Sequence, residues 1–235
     1  MRLFSKLEYL RRLSLLQDFT PAEVLTVARM MDLRTLERHD QVVLIGEPTV
    51  HIYVVLEGRL KIYDRRCVGR QVTLAILKPG DVFGEEALTA GTVHEQGVEA
   101  LESTTIGALA AGEFRALIEQ KPILALRVLQ NLGQQKGLLE RKIADLVFKD
   151  VPTRLAEVLL GLAEDSGEAC THGLVLELRI TQQDLADLIG ATRPAVNATL
   201  KQFRERGLIY PRPHVICVAD REGLRHVAEV PGGTI

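Results

Sequence analysis

The residue types best suited to chemistry lie near the C-terminal end of the chain, in ITQQDLADLIGATRPAVNATLKQFRERGLI, residues 180–209. Arg193, Asn197, Lys201 and Arg204 recur at intervals of four, four and three, so on a helix they share one face. Arginine donates to guanine edges, asparagine pairs with adenine edges and lysine neutralises phosphate. The face therefore has the donor set of a surface that reads duplex DNA. The chain contains no nucleophile elbow and no phosphate-binding glycine loop that would point to catalysis instead.

Local signals around those residues predict two short helices. Thr181 is a cap for the first, with Asp184 completing a weaker form of the capping box. Gly190 ends that helix, and Thr192 caps a second with Pro194 in its first turn. Ile180, Leu185, Leu188, Ile189, Val196, Leu200 and Phe203 then face inward together, and the small Ala186 permits close approach where the helices cross. The alternative, an ordinary helical hairpin, does not explain a basic outer face. The pattern is that of a helix-turn-helix. Tyr210 to Val218 follows as a small hairpin, with Arg212 and His214 near its turn as a wing against the DNA backbone.

Such a module must be presented by the elements before it. Phe114 to Phe148 has helical texture interrupted near Pro122, and the stripe Ala125, Leu129, Leu132, Lys136, Leu139, Ile143 and Leu146 follows alternating four- and three-residue spacing. A long helix packed only on its own domain is one way to cover this stripe. A second copy of the helix in a parallel homodimer is the more economical one. Asp150 before Val151 and Pro152 caps a new helix and marks a hinge. Upstream, residues 42–109 form short alternating runs punctuated by glycine, the texture of a β-sandwich or barrel, and the first forty residues have helical spacing. The expected fold class is α+β, with an N-terminal antiparallel β-roll of the jelly-roll type in residues 1–119, a dimerisation helix in 120–149 and a winged helix-turn-helix in 150–235.

Length and composition agree with this division. The chain has 235 residues, 46% hydrophobic and 26% charged, enough for two folded domains. Its net charge of −2 requires any contact with nucleic acid to be a local basic face. Cys67, Cys170 and Cys217 are too few and too scattered for an iron–sulfur cluster, a zinc site or a disulfide framework, so the expected state is reduced and cytoplasmic, with no metal and no cofactor. No run approaches the ~18 apolar residues of a membrane span, and charges interrupt residues 1–17 as in an amphipathic helix rather than a signal peptide.

Taken together, the glycine-spaced β-roll, GDVFGEEAL at residues 80–88, the long helix from Pro122, FKDVPTRLAEVLL from Phe148 and the helix-turn-helix resemble the cyclic-AMP receptor protein and fumarate-nitrate regulator (CRP/FNR) family of transcription factors. The resemblance runs from about residue 16 to 218. It implies a homodimer that reads a near-palindromic double-stranded promoter site and contacts RNA polymerase, through a surface loop at Glu164 to Gly173. It also implies that Arg193 donates to guanine and that Thr181, Gln183, Thr192 and Lys201 hold the DNA backbone. Pro194 and Ala198 depart from the family's pattern, which implies a target that matches the family site only in part.

In cyclic-AMP-binding members a glutamate after the glycine of the FGE run holds the ribose, and Gly84 and Glu85 match it. The positions of the phosphate-binding Arg-Ser pair are occupied by His94 and Glu95, and those of the adenine-facing Thr-Ser pair by Leu139 and Glu140. A cyclic phosphate needs fixed positive charge, which an imidazole beside a carboxylate does not supply. The expectation is a vestigial or altered pocket and a regulator independent of cyclic AMP; a member that depends on cyclic nucleotide or another small ligand is the alternative. Haem would need an axial ligand, for which His51 and Cys67 are isolated candidates. Lys136 and Arg141 could clamp an anion, or Lys136 could set register in the dimer seam. A cupin-like metal enzyme would need clustered histidines, whereas His51 and His94 are far apart in sequence.

Overall fold

Strand β3, His51–Glu57, reads HIYVVLE and is buried on both faces. Its even residues Ile52, Val54 and Leu56 enter one core, while Tyr53 and Val55 enter another. That double burial is why the run is continuously apolar rather than alternating. The computed structural model describes residues 3–65, 71–89, 91–170, 173–176, 181–212 and 215–229. The chain divides into two compact units, Met1–Leu139 and Glu140–Ile235.

The first unit begins with α1 (Leu3–Arg12), a short 3-10 turn (Ser14–Leu16) and α2 (Pro21–Met30). The strands are β1 (Asp32–Leu36), β2 (Gln41–Val43), β3, β4 (Leu60–Asp64), β5 (Val72–Leu77), β6 (Val82–Phe83), β7 (Gly97–Ala100) and β8 (Thr104–Ala110). They form two antiparallel sheets, ordered β1-β8-β3-β6 and β2-β7-β4-β5, with Val55, Leu60, Leu77, Val98 and Ile106 in the core between them. A second core, which includes Leu16, Val27, Ile52, Phe114 and Leu124, joins the first sheet to α1, α2, α3 (Ala111–Gln120) and the start of α4 (Ile123–Phe148). This is the antiparallel β-roll of the expected fold class. The helical spacing expected over the first forty residues stops at Met31, because Asp32–Leu36 pairs along its whole length with Thr104–Ala108 and so becomes strand.

A polar clamp ties α4 to the roll. β6 lies at a sheet edge, and its buried Val82 has ladder groups that no neighbouring strand satisfies. Val82 N–H donates to Asn131 Oδ1 at 3.0 Å, and Gln135 Nε2 donates to the Val82 carbonyl at 2.9 Å. Gln135 also donates to Asn131 Oδ1, and Asn131 Nδ2 donates to Asp81 Oδ1 at 3.0 Å.

The second unit contains the end of α4, α5 (Val151–Ser166), β9 (Gly167–Cys170), β10 (Gly173–Leu176), α6 (Gln182–Ile189), α7 (Arg193–Glu205), β11 (Ile209–Arg212), β12 (Val215–Val218) and α8 (Arg221–Glu229). Asp150 starts α5 as expected, its Oδ1 accepting from Thr153 N–H at 2.9 Å. The loop expected from Glu164 to Gly173 is instead the end of α5 followed by β9, which pairs with β10. Residues 171 and 172 of that stretch lie outside the described residues. The four strands are ordered β11-β12-β10-β9, so the wing hairpin is the edge of a larger sheet. Its core gathers Leu155, Leu159, Leu185, Val196, Phe203, Ile209 and Leu224.

Truncating Asn131 to alanine leaves the buried Val82 N–H without an acceptor and should cost about 1–3 kcal/mol. Urea unfolding followed by circular dichroism checks this through a lowered midpoint.

Candidate nucleic-acid interface and effector pocket

Both helices of the reading module start at side-chain caps. Thr181 Oγ1 accepts from Asp184 N–H at 3.1 Å while Asp184 Oδ2 accepts from Thr181 N–H at 2.9 Å, so the capping box is complete. Thr192 Oγ1 accepts from Ala195 N–H at 3.3 Å, with Pro194 in the first turn of α7. Between them Gly190 is left-handed at φ 61°, where a side chain would be strained and its Cβ would meet Leu146 at 2.7 Å. The turn therefore comprises three residues, 190–192.

Packing fixes which face points out. Leu185, Ala186, Ile189, Val196 and Phe203 are buried, with Leu188 and Leu200 packed against them. Ile180 lies outside the described residues. On the opposite face Thr192, Arg193, Pro194, Asn197, Lys201 and Arg204 are all exposed. Thr181, Gln182, Gln183 and Arg193 line one open cleft where the N-terminal turns of α6 and α7 come together.

Several of these groups have local partners. Gln183 Nε2 donates to Asp187 Oδ1 at 2.7 Å, and Lys201 Nζ lies 3.8 Å from Glu205. Gln182 was not singled out by the sequence, yet its Nε2 donates to Asn197 Oδ1 at 2.9 Å. No sequence rule reports a bond across fifteen residues and a turn, although the amide side chain at the first turn of α6 was its visible sign. On the wing, Arg212 ends β11, but its side chain and all of His214 lie outside the described residues.

In the roll, Gly84 is left-handed at φ 81°, and a Cβ there would come within 2.7 Å of the His51 carbonyl. This opens the 3-10 turn Glu85–Leu88. Glu85 is half-buried, and burial raises its carboxyl above the ordinary range, with the charge of Glu86 adding to the effect. Glu86 Oε2 is itself buried with no hydrogen-bond partner. His94 is buried and held between backbone groups, donating N–H to the Glu47 carbonyl and accepting from Gly46. Burial lowers the His94 imidazole pKa, while the carboxylates of Glu86 and Glu47 pull it back up. Glu95, next in the chain, is exposed. Leu139 and Glu140 are exposed on α4. His51 is half-buried on β3, and Cys67 lies outside the described residues. Among the described residues, no group of three or more His, Cys, Asp or Glu is placed to hold a metal ion.

The apolar stripe of α4 differs in phase from the expected one. Leu129, Leu139, Ile143 and Leu146 are exposed as expected, and Lys136 lies among them at the surface. Leu132, however, packs against the roll core, and Ala125 is half-buried. Leu126, Val147 and Phe148 take their place at the surface, Phe148 with 78% of its area exposed. The cause is that Leu124, Val128 and Leu132 form a separate inward stripe on the same helix.

The comparisons with known proteins fit this architecture. Residues 33–121 match the cyclic nucleotide-binding domain, and residues 153–227 match the Crp-like helix-turn-helix domain. A CRP-like cAMP-activated global transcriptional regulator of Mycobacterium tuberculosis is 30% identical over 222 residues, covering 92% of this chain and 97% of the relative. The chain belongs to the CRP/FNR family of transcription regulators. A global nitrogen regulator of Nostoc sp. is 28% identical over 179 residues, covering 75% of this chain and 80% of that one. The crystal structure of a CRP-family transcriptional regulator from Thermus thermophilus superposes with a TM-score of 0.75 at 26% identity, covering 84% of this chain and 97% of that chain. This CRP/FNR protein is thus a DNA-binding transcription regulator and not an enzyme. Among the described residues, no helix is long and apolar enough to cross a membrane.

Lys142, on α4 in the same unit as the reading module, is half-buried; burial and then the charge of Arg154 hold its pKa down at about 8, against an ordinary 10.5. Between those values the unfolded chain binds more protons than the folded one, so stability rises with pH across that window. Lys142→Met should raise stability near neutral pH and flatten the rise. Urea midpoints collected from about pH 7 to the ordinary lysine pKa check both effects.

Proposed function

We propose that the protein acts as a homodimer on a near-palindromic double-stranded promoter site and does not require cyclic AMP. The observation that carries the DNA reading is the exposed row Arg193, Asn197 and Lys201 on a helix whose opposite side is locked into the core. Arg193 donates to guanine, Thr181, Gln183, Thr192 and Lys201 hold phosphates, and Arg212 and His214 add the wing. Two copies joined along the exposed apolar face of α4 set two such helices about 34 Å apart, one turn of duplex. Lys136 within that face acts as a register device. RNA polymerase is the protein partner, met near residues 164–173, and the site of action is the cytoplasm.

Independence from cyclic AMP is supported by the chemistry around Glu85. The mycobacterial relative is described as cAMP-activated. Here the position expected to meet the cyclic phosphate is His94, whose imidazole pKa burial lowers and which has the carboxylates of Glu86 and Glu47 near it. A cyclic phosphate anion would lose water there, and neither an imidazole nor a carboxylate supplies it with a fixed positive charge.

Arg193→Ala should lower affinity for the preferred site by about 1–3 kcal/mol and relax preference at one base pair, whereas Lys201→Ala should weaken all duplexes alike. Fluorescence anisotropy on specific and random DNA separates the two, and equal losses on both for Arg193→Ala would remove the assignment. Calorimetry with cyclic AMP should show no binding up to about millimolar concentration, a weak limit for any cellular effector. A binding heat that disappears in Glu85→Ala would instead establish the ligand-dependent reading.

A further inference from the structure

The bond between Gln182 and Asn197 joins the first turn of α6 to the middle of the exposed face of α7, and it involves neutral side chains at the surface. Such a bond contributes little to folding, because ordering two flexible amides opposes the gain. What it changes is geometry. Gln182 Nε2 takes one lone pair of Asn197 Oδ1 and fixes the plane of the Asn197 amide. The second lone pair of Oδ1 and both hydrogens of Nδ2 remain. One acceptor beside one donor on a fixed plane is the complement of the adenine major-groove edge, where N6–H donates and N7 accepts. Gln182 also lines the open cleft that contains Arg193, so the amide pair borders the residue assigned to guanine.

We propose that Gln182 is a positioning residue that orients Asn197 to read one adenine–thymine pair in each half-site. The proposal rests on the DNA-reading function above. Asn197 makes the base contact, and Gln182 acts through it. Arg193 and Asn197, one helical turn apart on α7, then specify different base pairs of the same half-site.

The test uses the full-length protein and the duplex selected by the wild type from a random pool, together with single-base variants at every half-site position. Asn197→Ala should lose a preference for adenine at one position, by roughly 5- to 150-fold. Gln182→Ala should lose part of the preference at that same position while leaving the other positions and random DNA within about two-fold. The double variant should match Asn197→Ala alone. Circular dichroism confirms that each variant folds.

Three outcomes overturn the proposal: Gln182→Ala weakens specific and random DNA by one factor, which marks a phosphate contact; the two variants lose preference at different base pairs; or their effects multiply. If the wild type shows no sequence preference at all, the DNA-reading function fails with it. If the preference under Arg193 persists while Asn197→Ala is silent, only the amide pair fails.

Discussion

The exposed face of α7 exists because its other face has no freedom. Val196, Thr199 and Phe203 are buried, and Val196 and Phe203 share a core with Leu155, Leu159, Leu185 and Ile189. Rotating the helix by one residue would bring a charged or polar group into that core, at a cost of several kcal/mol. The direction in which Arg193, Asn197 and Lys201 leave the helix is therefore set by hydrophobic packing, and the bond from Gln182 bears only on the plane of the Asn197 amide. Caps at Thr181 and Thr192 and the left-handed Gly190 then fix where each helix begins relative to the other.

Those caps explain why the reading module could be located from the sequence. Thr181 with Asp184, Gly190, Thr192 with Pro194, and Asp150 are local rules in which a residue acts on a neighbour within four positions. Elements that depend on distant partners were less visible. β1 is strand because β8 lies beside it, and the β9–β10 hairpin replaces a loop because β12 extends the sheet. Helix α8 gave a weak signal, since Asp220 caps a segment whose buried member is Leu224. The outward stripe of α4 is hard to read at Leu132, because two apolar stripes of similar period share that helix, one facing its own core and one facing out.

Electrostatics in the roll follows burial more than pairing. Glu85 and His94 are each pushed toward their neutral forms by lost hydration, in opposite directions on the pH scale. Lost hydration thus disfavours charge on both groups, and a buried Glu86 oxygen without a hydrogen-bond partner lies next to Glu85 in sequence. In the sheet that holds β4 and β7, Lys61 and Glu99 show the other solution, a buried ion pair at 3.1 Å that His39 joins at 2.9 Å.

The amides of Asn131 and Gln135 also bear on aggregation. A terminal strand with bare N–H and carbonyl groups is a template onto which a foreign strand can zip. By occupying both ladder groups of Val82, the long helix closes that template with side chains at the middle of this edge. The other flank, β1, displays the charged Asp32 and Arg34 at its surface. Together the two flanks discourage edge-to-edge pairing of this sheet with neighbouring molecules.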